Sequence, residues 1–109
     1  MAYSEALAQR VRMLLAGTPA VVEKKMFGGL SFMAQGNLAV GVIGDELIVR
    51  VGPERNTEAL FQPHARPFDF SGRPMSGWVT VAAEGLNSDE ALAEWVQQGV
   101  AFALTLPPK

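Results

Sequence analysis

The sequence predicts an α+β fold: a single antiparallel sheet, built from a four-strand meander plus one or two further strands, with three helices mainly on one face. Three observations lead there. Apolar residues recur at helical spacing near both ends of the chain, as Leu7, Val11, Leu14 and Leu15 and as Leu92, Trp95, Val96, Val100, Ala103 and Leu106. From Val21 to Val51 the period drops to two, and glycine turns cut the run at regular intervals. No linker, repeat or low-complexity tract interrupts the 109 residues, so residues 1–109 read as one domain long enough to bury a core.

Each element has a local cause. Ser4 caps the first helix, and Gly17 and Pro19 end it. Gly28-Gly29, Gly36-Asn37 and Gly44-Asp45 supply the meander's turns. Strand alternation points Leu38, Val40 and Val42, with Leu47, Val49 and Val51, toward the layer that covers the sheet. Gly52-Pro53-Glu54 opens a short helix, with proline at the first position and a carboxylate at the positive end of the dipole; Pro63 stops it. The segment from Pro63 to Gly77, rich in proline and glycine, predicts a structured loop with a short edge strand at Phe68 to Phe70. Trp78 to Ala82 forms a further strand. Asn87-Ser88-Asp89-Glu90 offers an Asn-x-x-Glu capping box to the last helix, which Pro107-Pro108 ends.

Helices on one face leave the other to Met33, Ile43, Ile48, Arg50, Trp78 and Thr80, a set too apolar for a solvated surface and too polar for a core. Met33, Ile43, Ile48 and Trp78 are therefore the candidate interface, covered by a homodimer mate or another protein partner, with Arg50 fixing the polarity of the contact; for Trp78 the equal alternative is to cover the loop before it.

Composition narrows the chemistry. Nine Lys+Arg against eleven Asp+Glu give a net charge of −2, which argues against direct nucleic-acid binding. With no cysteine and a single histidine, neither a metal site nor a cofactor is expected. No run approaches the 18 apolar residues of a membrane span and no leader opens the chain, so the expected location is cytoplasmic.

Two motifs carry candidate chemistry. In Lys24-Lys25-Met26-Phe27-Gly28-Gly29, Gly28 and Gly29 accept the positive φ of a hairpin turn; the other reading is an anion cradle, with free backbone N–H groups and Lys25. His64, Arg66, Asp69 and Arg73, an imidazole, a carboxylate and two guanidinium groups within ten residues, either brace the proline-rich loop or, with Lys25 and Arg50, bind a small anion. The second alternative makes the protein an anion binder or an enzyme.

The segment Lys25-Met26-Phe27-Gly28-Gly29 also carries a resemblance. Together with Arg50-Val51-Gly52, with Arg66-Pro67 through Gly72-Arg73-Pro74-Met75, and with Trp95-Val96, it resembles the N-terminal domain of the TfoX/Sxy proteins, regulators associated with natural competence for DNA uptake. The resemblance implies a secretion-chaperone-like α+β fold, a single curved antiparallel sheet with helices packed on it. It transfers no catalytic residue and implies a non-enzymatic regulatory domain that works through a protein partner. Competence regulators of that type carry a second, helical domain and act on transcription alongside a cyclic-AMP receptor protein; the chain, ending at Lys109, reads as the N-terminal domain standing alone.

Overall fold

The computed structural model describes residues 3–18, 20–26, 28–70 and 72–108, excepting the side chains of residues 70, 73 and 74. Pro19, Phe27 and Ser71, which figure in the sequence reading, lie outside the described residues. Three α-helices, α1 (Glu5–Leu14), α2 (Asn56–Leu60) and α3 (Asp89–Thr105), accompany six strands: β1 (Val21–Met26), β2 (Gly29–Ala34), β3 (Asn37–Ile43), β4 (Glu46–Arg50), β5 (Ala65–Phe70) and β6 (Arg73–Val81). The strands form one antiparallel sheet in the order β1-β2-β3-β4-β6-β5. Leu7 and Val11 of α1, Ala59 of α2 and Leu92, Trp95 and Val96 of α3 share one core with the strands, so the helices lie on one face and the fold is α+β.

The helix starts follow their caps. Ser4 Oγ accepts the Leu7 N–H at 3.2 Å, and Ser88 Oγ accepts the Ala91 N–H at 3.1 Å. The cap of α3 is thus Ser88, one residue later than the box beginning at Asn87. Asn37 Nδ2 donates to the Pro107 carbonyl at 3.0 Å, tying the chain behind α3 to the start of β3.

The glycine pair has two separate reasons. Gly28 takes φ +77° between β1 and β2, as the turn requires. Gly29 pairs with Met26, and a Cβ there would sit 2.1 Å from the Val42 carbonyl oxygen on β3. The Lys24–Gly29 segment is a hairpin.

β3 departs from simple alternation. Phe32 pairs with Val40 but Met33 pairs with Leu38, so β3 carries one extra residue, Ala39. Beyond this bulge side chains change faces. Val40, Val42, Leu47, Val49 and Val51 join the helix-side core as predicted, whereas Leu38 does not; buried, it lines a crevice on the opposite face. At the bulge α3 rests directly on the sheet, since a Cβ on Gly99 would lie 2.4 Å from the Ala39 carbonyl oxygen.

The predicted loop from Pro63 to Gly77 is mostly sheet. β5 and β6 form a full hairpin, longer than the short strand expected, and Pro67 is tolerated because β5 is an edge. Between the pairs Pro67–Val79 and Asp69–Pro74, β6 spends four residues against one on β5. The excess is drawn toward α2: the Gly77 N–H donates to Asn56 Oδ1 at 2.8 Å, and the Gly77 carbonyl accepts the Val51 and Gly52 N–H groups at 2.8 and 3.0 Å.

Two outcomes test this packing. Trp95 is 6% exposed, so Trp95→Ala should cost about 3 to 5 kcal/mol in urea denaturation; a loss below about 1 kcal/mol means that the stripe of α3 is not core. Gly29→Ala should lower the unfolding midpoint well below that of Gly17→Ala, whose added methyl meets open space; equal midpoints contradict the close strand approach.

Candidate functional site

Register places Met33, Ile43, Ile48, Arg50, Trp78 and Thr80 on the helix-free face, with Lys24, Ser31, Gly41 and Arg66 in the same rows. That face is less bare than expected. Ile48 is only 5% exposed and Thr80 is also buried, while Met33, Ile43 and Trp78 are half-buried. The cover is the proline-rich hairpin. Phe68, on the far edge strand, shares a crevice of about 10 Å³ with Ser31 on β2, which requires the hairpin to curl over the intervening strands; its ring lies 6.1 Å from that of Trp78. Ile48 is therefore a floor residue, and the exposed part of the candidate interface reduces to Met33, Ile43 and Trp78.

The candidate anion ligands occupy separate places. Lys25 is exposed on β1, at the opposite edge of the sheet from Arg66. Arg66 Nη2 donates to Glu46 Oε1 at 2.6 Å, a bond that raises the guanidinium pKa, so this arginine braces β5 to β4. His64 takes φ +69° and packs against Gly85 beside Trp95 on the helix side, and its carbonyl accepts the Ala82 N–H at 2.9 Å. Asp69 is exposed beyond the register shift. Arg73 opens β6, and its side chain lies outside those described.

Arg50 stands apart from that set. Its guanidinium carbon lies 5.0 Å from the Trp78 ring centroid and 5.4 Å from that of Phe102, a stack between sheet and helix. Phe102 in turn packs against Gly52, where a Cβ would come within 2.4 Å of the ring; with φ +88°, this position tolerates only glycine. The same ring walls a groove of about 710 Å³ between α3 and the turn Pro53–Arg55, lined also by Glu54, Arg55, Gln97, Gln98 and Ala101. Among the described residues, no cluster of His, Cys, Asp or Glu suits a metal ion, and no helix is long and apolar enough to cross a membrane.

The model of the TfoX N-terminal domain matches residues 13–103. The chain belongs to the TfoX N-terminal domain family. No curated protein matches it. In this TfoX N-terminal domain the Met26 and Gly28-Gly29 of the resemblance form the β1–β2 hairpin, and Arg50-Val51-Gly52 forms the corner that Phe102 covers. Sequence reasoning missed Phe102, Asn56 and Glu46. Phe102 lies beside the apolar stripe of α3 rather than on it, and an aromatic just off a stripe is the signal that points to such a cover.

Arg66 and Glu46 side chains are 52% and 31% exposed, so this TfoX N-terminal domain should lose less than about 1 kcal/mol with Arg66→Gln or Glu46→Gln, and the double variant should lose no more than the larger single change. Urea denaturation of the three variants checks this. A loss of several kcal/mol marks the pair as essential to the hairpin's placement.

Proposed function

We propose that this TfoX N-terminal domain is a non-enzymatic, cytoplasmic regulatory domain that acts by protein interaction, self-associating as a homodimer through its helix-free face in the control of competence or transcription. One observation carries the reading: Met33, Ile43 and Trp78 stand half-exposed around a buried floor on a face that no helix covers. Burying such a patch recovers roughly 25 cal/mol per Å² of apolar area before association costs, and a two-fold pairing of like faces is the simplest closed arrangement. The dispersal of Lys25, His64, Arg66 and Asp69 supports a binding role over catalysis, which needs such groups to converge.

Static light scattering across a concentration series tests the reading. The wild type should be a dimer at micromolar concentration, and Ile43→Asp should shift it to monomer with its melting temperature kept, because Ile43 is already half-exposed. Ile48→Asp serves as the contrast: it charges the floor and should unfold the chain. A monomer at every concentration, with Ile43→Asp silent, removes the homodimer.

A further inference from the structure

Of the five arginines whose side chains are described, Arg10, Arg12 and Arg66 each meet a carboxylate, and Arg50 and Arg55 meet none among the described residues. Carboxylates outnumber cations in this chain, eleven to nine, so two arginines without a counter-ion are unexpected. Phe102 links the two. Arg55 lines the 710 Å³ groove; Arg50 lies outside its lining but over the ring of Phe102, which is one of its walls.

The stack prepares Arg50 for one kind of ligand. The guanidinium carbon lies over both the Trp78 and the Phe102 ring, while its N–H groups make no hydrogen bond to described residues. No buried side-chain nitrogen or oxygen among the described residues lacks a partner, so those N–H groups reach solvent. A guanidinium already seated over two rings loses less side-chain freedom on pairing with a carboxylate, and its weak hydration lowers the cost of desolvation. The groove then offers a body site: Phe102, Ala101 and Pro53 present carbon, and Gln97 and Gln98 present amides that donate and accept. Its volume falls within the range of small-molecule sites. Among the groove's lining residues Glu54 offsets Arg55, and Glu58 and Glu94 line the adjoining hollow with Arg55, so the charge that selects a carboxylate is that of Arg50.

We propose that Arg50, supported by Arg55, anchors a site for a monocarboxylate with an apolar body, its carboxylate on the Arg50 fork and its chain along Phe102 toward Gln97 and Gln98. The carboxylate belongs either to a free organic acid or to an acidic side chain of a peptide, and two probes separate these sources.

The test titrates the full chain with hexanoate, acetate, inorganic phosphate and N-acetylglutamate amide at constant ionic strength, following calorimetric heat and the tryptophan emission to which Trp78 contributes. Hexanoate should bind saturably, more tightly than acetate or phosphate. Arg50→Gln should weaken it about tenfold or more and Arg55→Gln a few-fold. Arg50→Lys keeps the charge and loses the fork; it should also weaken hexanoate, and it carries the test if Arg50→Gln does not fold. Tighter binding of N-acetylglutamate amide than of hexanoate, with the same dependence on Arg50, assigns the site to an acidic peptide. The proposal is overturned by no saturable binding of either organic probe, by affinities that Arg50→Gln and Arg50→Lys leave unchanged, or by phosphate binding as well as hexanoate. Because Trp78, 5.0 Å from Arg50, also belongs to the proposed dimer face, the titration is repeated on Ile43→Asp: hexanoate affinity kept in that monomer, with the same dependence on Arg50, separates the carboxylate site from the dimer.

Discussion

The approach of α3 to β3 at Gly99 sets the geometry of both faces of this sheet. With no Cβ at position 99, the helix backbone descends onto the Ala39 carbonyl, a distance that any larger residue would have to widen. That seat is the site of the bulge, where β3 has one residue more than β2. A bulge bends its strand and changes which side chains share a face. Ala39 and Val40 therefore both serve the helix side, and Leu38 is handed to the other, where it fills the crevice beside Ile48. A missing methyl group on a helix thus bears on the composition of the opposite face of the sheet.

The second organising feature is the diversion of β6. Four residues of β6 oppose one of β5 because Gly77 is held by Asn56 on one side and by the Val51 and Gly52 N–H groups on the other. Gly52 and Gly77 both take positive φ, at +88° and +89°, and their backbones touch: a Cβ on Gly77 would lie 3.0 Å from the Gly52 carbonyl carbon. Their closeness leaves no room for side chains, so Phe102 drops onto Gly52, and the hairpin beyond Gly77 curls so that Phe68 reaches across the helix-free face. Corner and cover are two ends of one constraint.

Much of this was legible in the sequence because it rests on local causes. Period-two alternation between glycine turns located β1 to β4, and the stripe through Leu92, Trp95, Val96 and Val100 located α3, since burial of one face is written into spacing. The exceptions have non-local causes. Leu38 changes face because of a bulge seated under α3, and nothing around residue 38 encodes position 99. The proline-rich segment read as a loop because its prolines forbid a central strand; on an edge they forbid nothing. Ile48 read as exposed because its cover comes from Phe68, twenty residues away on β5 and beyond β6 in the sheet, further than a local pattern can report. For the candidate site, residue types were legible and their company was not: four charged side chains within ten residues of sequence became one brace, one helix-side histidine, one exposed carboxylate and one strand opening.

The register also explains why Arg50 and Arg66, both on the helix-free face, differ in chemistry. Glu46 and Arg50 are four residues apart on one face of β4, about 13 Å at roughly 3.3 Å per residue, too far for a direct contact. The Glu46 carboxylate reaches instead to Arg66 on β5, which neutralises both and leaves a surface pair of small energetic value. Arg50, at the end of β4 where the chain turns into the Gly52 corner, has rings in place of a carboxylate. Rings compensate the loss of water over the faces of a guanidinium without neutralising its charge or occupying its N–H groups. Packing has thus ordered a cation that no carboxylate pairs among the described residues, and it has done so beside the groove that Phe102 shares. An arginine held in that state keeps its hydrogen-bonding capacity for something other than the fold.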